Sequence, residues 1–141
     1  MISTALTTSF KEQLLEGKHN FSVAGGDTFK IALYASSAVI GAETTAYTAV
    51  GEITGSGYTA GGATLTNVNP TTSGTTAYAT FQTVSWPAAT FTANGALIYN
   101  ANAANASVTS LAFGSDQSVS NATFEIIFPT ANASSAIIRI V

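Results

Sequence analysis

"GSGYTAGGATLTNV", residues 55–68, decides the fold. The stretch holds four glycines and no charge, and it loosely resembles a phosphate-cradling loop. A dinucleotide fingerprint needs a strand, then the glycines, then a helix. Here the glycines are followed by "ATLTNV", which is strand-like in pattern and composition. A P-loop needs Gly-Lys-Ser/Thr, and the stretch has no lysine. A linker does not fit either, because Tyr58 and Leu65 bracket the glycines inside a strand-like series. The reading that remains is strand, glycine-rich turn, strand, with glycine supplying positive φ or letting backbones approach closely.

The neighbouring segments repeat this pattern. In "TFKIALYAS", Phe29, Ile31 and Leu33 alternate with Lys30, Ala32 and Tyr34, which predicts a strand with two distinct faces. Further strands are expected at Tyr47–Thr54, Ala63–Val68, Thr75–Gln82, Thr90–Ala93, Ala96–Tyr99, Ser107–Phe113, Thr123–Phe128 and Ala136–Val141. Turn signals separate them: "GSG", "GG", "NP", "SG", "NG", "GSD" and "PTANAS". Many short strands at fairly regular spacing predict a mainly β chain, a single-domain antiparallel β-sandwich of jelly-roll-like or Ig-like type. One short N-terminal helix precedes it. Leu6, Phe10 and Leu14 recur every fourth residue, Thr4 or Ser9 serves as N-cap, and Gly17 reads as the stop. Residues 1–20 are then the helix and its connector, and residues 21–141 the sandwich, in one folded unit.

Composition narrows the function classes. The chain has 141 residues, the size of one ordinary domain, and a normal apolar share of 46%. Charged residues make up 8%, against roughly 25% in typical soluble proteins, so the polar surface comes from Thr, Ser, Asn and Gly. Net charge is −3, and no Lys or Arg lies between Ile31 and Ile138. That leaves no basic stripe for nucleic acid or for an anionic membrane surface. There is no Cys, hence no disulfide framework or thiolate metal site. Residues 1–16 contain no apolar core of a leader, and no run reaches the roughly 18 apolar residues of a membrane span.

The candidate chemistry is sparse. His19 is the single histidine, set just past the helix stop, where an imidazole is expected to cap carbonyls or face solvent. The acids Glu12, Glu16, Asp27, Glu43, Glu52, Asp116 and Glu125 form no recognisable motif, and Asp27 and Asp116 are expected to bond their own turns. Asn20, Asn105, Asn121 and Asn132 begin N-x-S/T triplets of the kind that arise by chance in so Asn- and Ser-rich a chain. Trp86 is expected to be a half-buried core residue and the five tyrosines to pack at sheet margins. No catalytic, cofactor or metal residue is assigned, and no cofactor is expected.

Five segments carry a resemblance: "SFKEQLLEGKHNF" (9–21), "DTFKIALYASSA" (27–38), "TTAYTAVGEITGSGYTAGGATLTNV" (44–68), "GALIYNA" (95–101) and "TFEIIFPTANASSAIIRI" (123–140). In this order they resemble a family of small virion structural proteins of tailed bacteriophages. The most specific stretches are the N-terminal helix with Lys11 and His19, Gly57–Leu65 and Gly95–Asn100. The resemblance implies a non-enzymatic virion part, made in the bacterial host cytoplasm. The expected role is a capsid decoration (cement) protein that binds the major capsid protein or other virion proteins. The alternative is a tail-associated or host-recognition protein, with "NANAANAS" (100–107) as its exposed tip. The resemblance also implies a homo-oligomer, a trimer before a dimer. The physical reason for self-association is "AIIRIV" (136–141), whose Ile137, Ile138, Ile140 and Val141 put apolar groups on both faces of a strand. Such a strand needs a central position in the sandwich or cover from another subunit. Leu6, Phe10, Leu14, Arg139 and Ile140 are therefore the candidate interface residues, with Arg139 expected to meet a carboxylate or backbone carbonyls.

Overall fold

The computed structural model describes residues 1–141. Its elements run β1 (Ala5–Leu6), α1 (Thr8–Leu15), β2 (Phe29–Tyr34), β3 (Ala63–Thr64), β4 (Asn67–Ser73), β5 (Thr76–Phe81), β6 (Val84–Asn100), β7 (Ala106–Ile126) and β8 (Ile138–Ile140). The strands form two antiparallel sheets, one in the order β1-β7-β6-β2-β3 and one in the order β4-β5-β8. The chain is thus the predicted mainly β, sandwich-like domain with one short helix.

The alternation read in β2 builds the core. Phe29, Ile31 and Leu33 face the second sheet and join Phe81, Trp86, Phe91, Ile98, Val108 and Ile138 in one buried cluster. Ala32 and Tyr34 point the opposite way, into a smaller cluster with Ile2, Ala38, Ile40, Leu97 and Tyr99. The larger sheet is therefore covered on both faces. Its second face lies under residues 38–47 and the N-terminal residues, which dock through the bridge Ile2–Ile40, whereas Ile53 and Tyr58 pack into the larger cluster. Trp86 is 5% exposed, more deeply buried than the half-buried position expected.

Several elements differ from expectation. The paired segments at 90–93 and 96–99 are one strand, β6, and those at 107–113 and 123–128 merge into β7. The "NG" and "GSD" signals between them do not turn the chain. Asn94-Gly95 lies at a register shift, where a Cβ on Gly95 would stand 2.6 Å from the Leu111 carbonyl oxygen. That glycine serves close approach between strands. Residues 113–116 form the longer side of the same irregularity. Further shifts around Ala89, with left-handed Ala88 and Asn121, bend the β6–β7 ribbon back on itself. The ring centroids of Phe113 and Phe124 are 6.4 Å apart. On a straight strand those two residues would be separated by about 36 Å.

Residues 47–54 hold one isolated bridge, Glu52 to Tyr34, instead of a strand, and their backbone bonds residues at the ends of other strands: Tyr47 N bonds Asn105 O, just before β7, and Ile53 N bonds Leu33 O of β2. The helix begins at neither Thr4 nor Ser9. Thr7 is the N-cap, its Oγ1 accepting from Phe10 N at 3.3 Å, and Leu6 belongs to β1, before the helix. The predicted final strand shrinks to β8, which lies at a sheet edge and not at its centre.

Candidate partner interface

The five residues singled out in the sequence converge. Leu6, Phe10, Leu14, Arg139 and Ile140, joined by Lys11, Leu15 and Ile138, line one groove of about 340 Å3 between α1 and the edge strand β8. Phe10 and Ile138 form its buried floor, whereas Leu15 and Ile140 are 91% and 55% exposed. A second hollow, about 250 Å3, shares Leu14, Ile138 and Ile140 and continues over Phe21 and Pro70. Of the two ways to bury "AIIRIV", a central strand is excluded within this chain, and Ile140 and Val141 stand uncovered. Arg139 meets no carboxylate; its Nη1 donates to the Ala133 carbonyl oxygen at 2.7 Å. Leu15 was missed in the sequence, since it lies off the every-fourth-residue stripe.

The polar clusters elsewhere brace the scaffold. Glu52 accepts from Tyr47 Oη at 2.6 Å, Tyr58 Oη at 2.7 Å and Gly61 N at 2.7 Å. Tyr58 Oη also accepts from Leu33 N, and Tyr99 Oη donates to Gly61 O at 2.6 Å. The bond to Glu52, together with burial, pushes the Tyr47 phenol up to about 12. Burial drives Tyr34, Tyr58 and Tyr99 upward too, so these hydroxyls stay protonated donors. Their arrangement staples segment 47–62 onto the larger sheet, a role well beyond packing at sheet margins.

His19 neither faces solvent nor caps carbonyls. It is 8% exposed, with its ring 4.9 Å from that of Phe10. Asn100 fixes its tautomer. The Asn100 Oδ1 accepts from Asn102 N, so its Nδ2 must point the other way, donating to Asp27 Oδ2 at 2.8 Å and to His19 Nδ1 at 3.0 Å. The imidazole proton then sits on Nε2 and is donated to Gln13 Oε1 at 2.8 Å. Neither ring nitrogen has a hydroxyl partner, so His19 is not part of a Ser-His-acid arrangement. Asp27 bonds beyond its own turn, to Asn100, and Asp116 accepts across the ribbon from Asn94 Nδ2.

This network predicts acid sensitivity. Burial lowers the His19 pKa, the Asp27 charge opposes that, and Lys18 adds to it. The unfolded chain therefore binds a proton near pH 6.5 where the folded chain does not. The stabilisation is complete above that pH and is lost as the pH falls from there to the folded value. Urea midpoints of the wild type should decline as the pH falls below about 6.5, and those of His19→Gln should stay nearly level. A slope shared by both proteins would assign the acid sensitivity to other groups.

No group of three or more His, Cys, Asp or Glu side chains is placed to hold a metal ion. No helix is long and apolar enough to cross a membrane. What the fold and the groove define is a β-sandwich domain with an open apolar groove beside its edge strand. Comparison with protein-family models, curated proteins and solved structures gives no match to this chain.

Proposed function

We propose that the chain is a non-enzymatic structural protein of a tailed-phage virion, most specifically a capsid decoration (cement) protein. It is synthesised in the bacterial host cytoplasm and acts as a homo-oligomer docked on the major capsid protein or another virion protein. The phage assignment rests on the sequence resemblance. The observation that carries a docking role is the groove between α1 and β8, an apolar surface at a sheet edge with Leu15 and Ile140 presented outward. A contiguous exposed apolar patch on a folded domain is suited to contact with another protein, a membrane or a ligand. The tail or host-recognition alternative finds less in the structure. Ala101, Asn102, Ala104 and Asn105 of the 100–107 tip are exposed, but Asn100 is buried in the His19 network and Asn102 Oδ1 is engaged by Thr28 N.

Cryo-electron microscopy of the particle that carries the chain tests this reading. Density for an oligomer of this β-domain on the outer head surface is expected. Purified particles without the protein, judged by mass spectrometry, would refute the virion reading, and density on the tail alone would refute the cement role.

A further inference from the structure

The groove between α1 and β8 is one part of a longer band. A hollow lined by Phe113, Phe124, Glu125, Ile126 and Ile127 opens beside the end of β7. The next hollow shares Phe113, Ile126 and Ile127 with it and runs past Pro129 to Leu6. Leu6 leads into the groove, and Leu14, Ile138 and Ile140 carry the groove to Phe21 and Pro70. Of the chain's eight exposed large apolar residues, Leu15, Ile127 and Ile140 line this band, and Val141 adjoins it. Its two bordering strands are open as well. β7 beyond Ser110 pairs with β6 alone, and β8 pairs with β5 alone.

Charge on the band is sorted by position. Glu125 lines one end, Lys11 and Arg139 line the groove, and the hollow between them has no charged residue. All three charged side chains are exposed, and none has an ionic partner, since the chain's one ion pair is Lys18 with Glu16. An acidic partner would suit the groove and be repelled at Glu125, and a basic partner would meet the reverse. A second copy laid down in the opposite direction fits both ends at once, as a twofold interface demands: residue i meets j, and j meets i.

We propose that this band is the contact between two copies of the chain. A twofold axis passes near Leu6 and Ile127, and Glu125 of each copy faces Lys11 and Arg139 of the other. This deepens the docking role proposed above by naming the first occupant of the groove. It sets the basic unit at two, in place of the trimer implied by the resemblance.

Sedimentation velocity on the purified full chain tests the proposal, separately from any question of where the protein sits in a particle. The wild type is expected to be a dimer at tens of micromolar (about 30 µM, the range where specific interfaces hold). Glu125→Lys alone, and Lys11→Glu with Arg139→Glu, should each raise the dimer dissociation constant by about a hundredfold. An equimolar mixture of the two variants should restore a dimer containing one of each, because both contacts in that pair are again opposite in sign. Ile127→Arg, in the middle of the band, should give a monomer with the circular dichroism spectrum of the wild type and a cooperative melt, which separates loss of contact from loss of fold. A monomeric or trimeric wild type, variants that remain dimeric, or a mixture that stays monomeric would each overturn the assignment.

Discussion

Gly62→Ala should be among the most damaging single-methyl changes in the chain. Gly62 has φ +80°, and a Cβ there would lie 1.8 Å from the Ile31 carbonyl oxygen and 2.8 Å from Ala32 Cα. Both obstacles are backbone atoms of β2, which is buried on both faces, so neither can swing aside. The left-handed conformation costs a non-glycine residue about 1–2 kcal/mol. Forcing extra volume into a packed interior adds about 1–3 kcal/mol, with the upper end expected where backbone must move. The sum, about 2–5 kcal/mol, is a large share of a typical domain's stability of about 5–15 kcal/mol. Gly74→Ala is the control. Gly74 also has positive φ, +59°, but nothing lies within 4 Å of its added Cβ, so conformational strain alone applies. Chemical denaturation should place Gly62→Ala well below Gly74→Ala. Equal midpoints would mean that β2 and the turn before β3 are not packed as described.

The same residue shows how far the sequence could be read. "GSGYTAGGATLTNV" does hold a glycine turn, with positive φ at glycines 57, 61 and 62, but no strand directly precedes it, and the single strand expected at Ala63–Val68 is divided between β3 and β4 in different sheets. Local chemistry was enough for the turn. It was not enough for "NG" and "GSD", because a glycine demanded by a neighbouring strand, as at Gly95, has the same local signature as one demanded by a turn. The long coiled β6–β7 ribbon follows from contacts between residues far apart in the chain, and no window of a few residues contains them. The groove was legible in part. Apolar residues on both faces of "AIIRIV" gave Ile140, and the helical stripe gave Phe10 and Leu14, since an excess of apolar groups is visible without a partner. The Gln13–His19–Asn100–Asp27 chain was not legible, because it joins α1 and its connector to the end of β6 across 81 residues of sequence. A lone histidine carries no sign of the distant amide that sets its tautomer.

Phe10→Ala should expose how firmly the helix is held. Phe10 is fully buried, and its ring lies 4.9 Å from that of His19 and 6.0 Å from that of Phe21. Phe21 in turn stacks on Phe29 of β2 at 4.4 Å. Truncation removes the side chain that links α1 to this aromatic column, and it leaves a cavity that β2 and β7 are too rigid to fill. The expected cost is about 3–5 kcal/mol. For a domain of this size that is a fall in melting temperature of roughly 10–15 °C. The floor of the α1–β8 groove should collapse with it, so partner binding is lost as a consequence. Leu15→Ala, five positions along the same helix and 91% exposed, should instead leave stability within about 0.5 kcal/mol while weakening association. The pair of variants separates two uses of one helix, since Phe10 fastens it to the sandwich and Leu15 stands outward in the proposed interface. If Phe10→Ala melted like the wild type, α1 would be a detachable arm, and the groove beside it would not exist as a fixed surface.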